Sequence, residues 1–276
     1  MTAPAVRTGS ARVAVRRQPV AQAMVLARRS IVGLFRQPTV FLPGMLFPLL
    51  IAAVNTATVG IATKAPFWPA PRPHSYLDFV MAATIVQGVM FGGVVGGSDL
   101  ALDIENGFFE RLLASPVARP AILVGRLAGS AAMGALQAAV FAAAFMLFGS
   151  RLEGGVAGLV VLMVVAVVLA IGIGGLAAAI GLRTGSAEAV QNSFPLIFII
   201  IFISSAFFPT QLMRGWYRAV AAHNPISWMV DGMRAQVVSG FDLGGALSAI
   251  AVSGVLAVVA IALATVQLSR RLRVAP

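Results

Sequence analysis

The chain of 276 residues contains no cysteine. Disulfides, thiol nucleophiles and thiolate metal sites are thereby excluded. Histidine is scarce too, with only His74 and His223, far apart in sequence, to serve as imidazole ligands or bases. Lysine occurs once, at Lys64, and every other basic residue is arginine. A phosphate-binding P-loop needs a Gly-Lys-Ser/Thr step, because its lysine reaches the terminal phosphates. No Gly-Lys step is present, so the sequence encodes no Walker-type ATPase. Charge of either sign is rare, at 11% of residues, and only nine residues are acidic.

What the chain has is apolar mass. Hydrophobic residues make up 59% and the mean hydropathy is +0.93, against about half apolar and a quarter charged in soluble domains. The formal charge of +11 would suggest nucleic acid in a soluble protein. Here the arginines gather at the edges of apolar runs, which is the pattern of membrane topology and not of nucleic-acid binding.

A hydrocarbon core of about 30 Å needs roughly 20 apolar residues of helix. Six stretches meet that requirement: Thr39–Ala62, Leu77–Leu100, Ile122–Phe148, Val156–Leu182, Ala189–Phe208 and Gly245–Leu268. The fifth is interrupted by Pro195 and stopped by Pro209. The expected fold is an all-α integral membrane protein with six transmembrane helices. Residues 1–37 form a basic tail and an amphipathic helix, and residues 38–276 form one membrane domain. Met1–Arg36 lacks the apolar core and small-residue cleavage site of a signal peptide. Within it, Val20, Met24, Ala27, Ile31 and Leu34 recur at helical spacing with Arg28, Arg29 and Arg36 elsewhere on the wheel, which predicts a helix lying in the headgroup plane.

With six spans, both termini share a side. That side collects Arg7, Arg12, Arg16, Arg17, Arg28, Arg29, Arg36, Arg111, Arg119, Arg126, Arg183, Arg270, Arg271 and Arg273. The opposite side holds Lys64, Arg72, Arg151, Arg214, Arg218 and Arg234. The positive-inside rule places both termini and the 103–119 segment in the cytoplasm. Glycines at 88, 92 and 96 in the second span, and at 125 and 129 in the third, mark close helix contacts. Gln87, Asn55, Gln137, Gln191 and Asn192 read as interhelical hydrogen bonders.

The segment Asp103–Arg119 carries three of the nine acids. Phe108, Phe109, Leu112 and Leu113 share one helical face, with Glu105, Glu110 and Arg111 around its edges, and Ser115-Pro116 closes it. Such a helix either tucks against its own bundle or offers an apolar anchor with an ionic rim to a partner in water.

The run Glu105-Asn106-Gly107-Phe108-Phe109-Glu110-Arg111-Leu112-Leu113-Ala114-Ser115-Pro116-Val117, followed by Arg119 and Gly125-Arg126, resembles the cytoplasmic signature of type-two ABC transporter permeases. Phe108 stands where that family commonly has Thr. His223-Asn224-Pro225-Ile226-Ser227-Trp228, followed by Asp231-Gly232-Met233-Arg234, resembles the family's Asn-Pro…Arg motif before the last span. The resemblance implies the membrane subunit of an exporter of drugs, polysaccharides or lipids. It also implies two ABC ATPase subunits and a second membrane subunit, identical or paralogous. In that reading residues 105, 108–113 form the coupling helix that docks on the ATPase, and residues 20–36 form the interfacial elbow. Short broken helices precede the last span in the outer leaflet. ATP and Mg would belong to the ATPase partner, with no cofactor held by this chain.

Two further readings concern the outer half. Asn224-Pro225 shapes a helix break, since Pro lacks a donor and disfavours helix before it. Phe194, Phe198 and Phe202 recur every four residues, as core, as lipid-facing surface or as the lining of an apolar substrate route. A secondary transporter driven by an ion gradient is the alternative function. It requires an ionisable residue at mid-depth, whereas Asp78 and Asp99 lie near opposite ends of the second span.

Overall fold

The computed structural model describes residues 19–36, 38–115 and 117–274. The basic tail before Pro19 lies outside them, as does Pro116. Among the described residues every regular element is helical. In chain order the α-helices are α1 Pro19–Arg36, α2 Pro38–Val59, α3 Tyr76–Glu105, α4 Phe108–Ala114, α5 Arg119–Leu147, α6 Gly155–Thr184, α7 Ala187–Gln191, α8 Phe194–Phe202, α9 Gly215–His223, α10 Pro225–Val238 and α11 Leu243–Val274.

Five helical runs are long and apolar enough to cross a bilayer: Leu42–Lys64, Tyr76–Glu105, Pro120–Leu147, Gly155–Thr184 and Leu243–Arg273. They match five of the six predicted stretches. The remaining stretch is broken. It forms α7 and α8, separated by Asn192-Ser193, and ends in a non-helical turn after Phe202. Pro195 at the second position of α8 supplies no backbone donor, so continuity with α7 is lost there. The broken segment still runs the length of α3. Ala187 N–H donates to Glu105 at one end of α3 (2.8 Å), and the Tyr76 hydroxyl at the other end donates to the Phe207 carbonyl (2.8 Å).

α3 is the central helix. Its apolar window is 89% buried, whereas that of α2 is 17% buried and packs by one side only. Close approach explains why: glycines on α3 meet side chains of both flanking helices. Phe141 and Gln137 of α5 lie over Gly88 and Gly92, while Ile173 and Ala177 of α6 lie over Gly93 and Gly97. In lipid, where apolar surface gains little from burial, such contacts hold helices by dispersion.

α1 departs from its predicted stripe. Leu26, Ala27 and Ser30 sit against Gly125 and Gly129 of α5, while Val20 and Met24 stay exposed. The glycine rows of α5 decide which face of α1 is covered, and Val20, Met24 and Val25 remain exposed.

Candidate functional site

The bundle has two polar ends. The first gathers α1, α4, α7, the start of α5 and the last turns of α11. α3 stops at Asn106, and Gly107 adopts φ +65°, a left-handed conformation that a side chain disfavours. Its N–H bonds to Ile104 O, and the chain turns at once into α4.

α4 then divides its predicted face. Phe109 is 1% exposed and packs among Leu100, Ile104, Ile122, Leu123, Leu182 and Leu268. Leu112 and Leu113 are half-buried against the same cluster. Phe108 lies under the Arg29 guanidinium of α1, 4.0 Å from its ring centre. The expected apolar face is therefore largely consumed by the chain's own bundle. Glu110, Arg111 and Ala114 are what α4 presents outward. Glu105 spends one oxygen on the Ala187 N–H, at the first turn of α7.

Charges stitch this end together. Arg126 of α5 bridges Asp103 and, at 3.7 Å, Asp99, two carboxylates one turn apart on α3. Arg29 of α1 reaches Asp103 at 3.4 Å. Arg271 of α11 reaches Glu110 at 3.7 Å and donates to the Leu182 carbonyl at 3.2 Å. Gln22 of α1 accepts from the Ala118 N–H in the short link between α4 and α5. Asp103 opens the segment singled out in sequence and Arg126 belongs to the signature that follows it, whereas Arg29, Asp99 and Arg271 were not marked as site residues. The one available signal was the pairing of rare acids with arginines at helix ends.

At the second end, Asn224, Pro225 and Arg234 converge on the break after α8. That stretch leaves carbonyls without helical partners, and each needs one if it is to lie at membrane depth. Asn224 Nδ2 donates to Ile200 O (2.8 Å) and Ile203 O (3.2 Å), while its Oδ1 accepts from Ile226 N–H and caps α10. Pro225 occupies the first turn of α10, where a missing donor costs nothing. Arg234 donates to Ser205 O (2.8 Å), Ala206 O (3.2 Å) and Phe79 O (2.9 Å), and pairs with Asp231 (2.5 Å). Its guanidinium also stacks on the Phe79 ring, 3.7 Å from the centre. The Asp231 carboxylate balances the guanidinium charge, which arginine keeps in proteins. Tyr217 and Tyr76 donate to the Phe202 and Phe207 carbonyls. Asn224 and Arg234 thus satisfy a broken backbone. Tyr76, Tyr217 and Asp231, which assist them, were invisible as partners before folding.

The phenylalanine stripe forms a column. Phe194, Phe198 and Phe202 stack in series with Phe47 of α2, Phe91 of α3 and Phe207, at centre distances of 4.6–6.0 Å. The other side of α8, with Leu196, Ile197 and Ile200, lines an apolar groove of about 1170 Å³ against α6, α9, α10 and α11. The stripe and the groove are on different faces of α8.

The expectation of interhelical hydrogen bonds is unmet at Gln87 Nε2, at Gln137 and at Asn55. Gln87 and Gln137 are 1% and 0% exposed, yet Gln87 Nε2 and both polar atoms of Gln137 have no partner. Asn55 bonds within its own helix. Asp78 is buried but fully engaged, by Ser75, Ser150 and the Arg151 N–H. The other acids of α3 are Asp99, Asp103 and Glu105, near its far end and engaged by Arg126 and the Ala187 N–H, so none of the four is a free mid-depth carboxylate of the kind an ion-coupled carrier needs.

Comparison with known proteins agrees with this architecture. The chain is 29% identical over 191 residues to the daunorubicin resistance ABC transporter permease protein DrrB1 of Streptomyces coeruleorubidus, covering 69% of this chain and 65% of that one. It is 26% identical over 167 residues to the probable doxorubicin resistance permease DrrC of Mycobacterium tuberculosis, 59% of each. It is 27% identical over 222 residues to a putative transport permease, ycf38, of Cyanophora paradoxa, covering 78% of this chain and 73% of that one. The match thus spans less than two thirds of the length of the two drug-resistance permeases. The family model for the ABC-2 type transporter matches residues 21–238, from the first turn of α1 to the end of α10. With its apolar spans and a family match over residues 21–238, this chain belongs to the ABC-2 type transporter family, as a multi-pass membrane protein.

Proposed function

We propose that the chain is the membrane subunit of an ATP-driven exporter, energised by two separate ABC ATPase subunits that dock on α4. A second membrane subunit, identical or paralogous, completes the pore. The α4 end, with both chain termini, faces the cytoplasm of a bacterial plasma membrane. ATP and Mg are bound by the ATPase partner. The cargo is hydrophobic, lipid-linked or drug-like, and leaves the cytoplasm or the inner leaflet. The names of the relatives support the drug-like class, and the apolar groove beside α8 suits it chemically.

One observation carries the reading. α4 is anchored from below by Phe109 and held laterally by Arg29 and Arg271, while Glu110, Arg111 and Ala114 face away from the bundle. A rigid, short helix with a charged outer edge is what a water-side partner can push. Loading of α4 reaches α3 through the Gly107 turn and α5 through the short 115–118 link.

The test is a charge reversal that spares the core. Glu110→Lys with Arg111→Glu leaves Phe109 in place. Co-purification with the ATPase subunit should fall at least tenfold, with the chain still inserted and folded. Undiminished co-purification and transport would reject docking on α4. Phe109→Asp is the poorer probe, since a carboxylate at that buried position unfolds the site itself.

A further inference from the structure

α5 meets α3 in strict antiparallel step. Phe141 lies over Gly88, Gln137 over Gly92, and Arg126 on Asp103. Every one of those α3 positions has an equivalent one turn nearer the Tyr76 end. Gly92 is preceded by Gly88, Asp103 by Asp99, and Gly88 by Thr84, which is small. On α6, Ser130 sits against Gly174, with Ala170 one turn nearer the Tyr76 end, and Gly134 sits against Ala166 and Ala170, one turn short of Leu162. α5 therefore runs along a smooth track of four-residue period on α3, with small residues facing it on α6.

A smooth track alone says nothing about movement. The second observation is the amide of Gln137, fully buried and unpartnered, pressed against Gly92. Gln87 Nε2, also buried and unpartnered, lies one turn further along α3. A shift of α5 by one turn seats Gln137 on Gly88, beside Gln87, so that the two amides can pair. The same shift carries Arg126 from Asp103 to Asp99, which it already approaches at 3.7 Å. Two packed arrangements with equivalent contacts are the requirement for a discrete switch, and one-turn steps of this kind are an established form of it.

We propose that α5 has two seats against α3, one helical turn apart, with Gln87, Gln137, Asp99 and Asp103 setting the balance between them. Asp103 holds the observed seat. Asp99 and the Gln87–Gln137 pair hold the other. The 115–118 link makes α4 the handle, so the inference rests on the docking reading only for what drives the step.

The cysteine-free chain allows a direct test. Leu102→Cys on α3 and Leu147→Cys at the far end of α5 are both exposed, and spin labels there report the axial offset of the two helices. Labelled chain is diluted into unlabelled chain in lipid nanodiscs, without any ATPase. Asp103→Asn should raise a population whose label distance is longer by roughly 5 Å, one turn of helix. Asp99→Asn and Gln137→Leu should each remove that population. Identical distance distributions in Asp103→Asn and Asp99→Asn would overturn the two seats, as would a long-distance population that persists in Gln137→Leu. Because the isolated chain suffices, such a result leaves ATPase docking standing. Conversely, registers that respond to these variants but not to nucleotide in the full complex would sink the coupling and not the seats.

Discussion

Arg234 shows how one side chain can stand in for a missing stretch of helix. Its fork contacts Ser205 O, Ala206 O and Phe79 O as well as Asp231, so it bonds to the break after α8 and to α3 at once. Lysine carries the charge but lacks the planar fork, and cannot span these carbonyls together. Arg234→Lys should lower stability by about 2–3 kcal/mol, because buried acceptors lose their donor. Thermal unfolding in detergent checks this, and an unchanged midpoint would show the fork to be dispensable. From the sequence, Asn224-Pro225 was readable as a helix break and Arg234 as part of a motif. What they bond to was not readable, because Ile200, Ile203, Ser205 and Ala206 contribute only backbone oxygens, which no residue pattern announces.

Among the elements, α4 is the clearest case of a reading that needed the neighbours. Helical spacing put Phe108, Phe109, Leu112 and Leu113 on one face, and left open whether the bundle or a partner covers it. The bundle covers most of it, because Arg29 claims Phe108 and the ends of α3, α5, α6 and α11 leave a pocket that Phe109 fills. The orientation of α4 rests on Gly107, whose φ is +65° and whose missing β-carbon would stand in open space, with no neighbouring atom within 4 Å. The penalty for Gly107→Ala is therefore conformational, about 1–2 kcal/mol, and not steric. Gly107→Asn, better tolerated in that region, should recover part of it. Unfolding midpoints ordered Gly above Asn above Ala bear on this directly, and equal midpoints would mean that the turn relaxes. The broken α7–α8 segment is the opposite case: Pro195 and Pro209 flagged an interrupted span, and the structure places the interruption at Asn192-Ser193 and after Phe202.

For the whole molecule, the arginine-rich end is one physical end. α1, α4 and the last turns of α11 meet there through Arg29, Arg126 and Arg271, while Tyr76, Ser150, Arg151 and Arg234 meet at the other. The orientation of that axis in the cell follows from charge bias and is testable with single thiols, since the natural chain has none. Phe67→Cys should react with a membrane-impermeant maleimide on intact cells. Ala114→Cys should react only after permeabilisation. The reverse labelling would place α4 outside and end the case for an ATPase there.

Composition and periodicity alone determined that this chain is helical, that it lives in lipid, where its long spans lie and which ends share a side. Those properties follow from transfer free energy and helical repeat, which are local and additive along the chain. Only the tertiary structure decided which apolar face of α1 and α4 is used, how the backbone break after α8 is satisfied, and that Gln137 and the Gln87 Nε2 are left without partners. Each of these depends on what a distant segment brings to the same few ångströms, and in a bundle of closely packed glycines that is settled by shape, not by hydrophobicity.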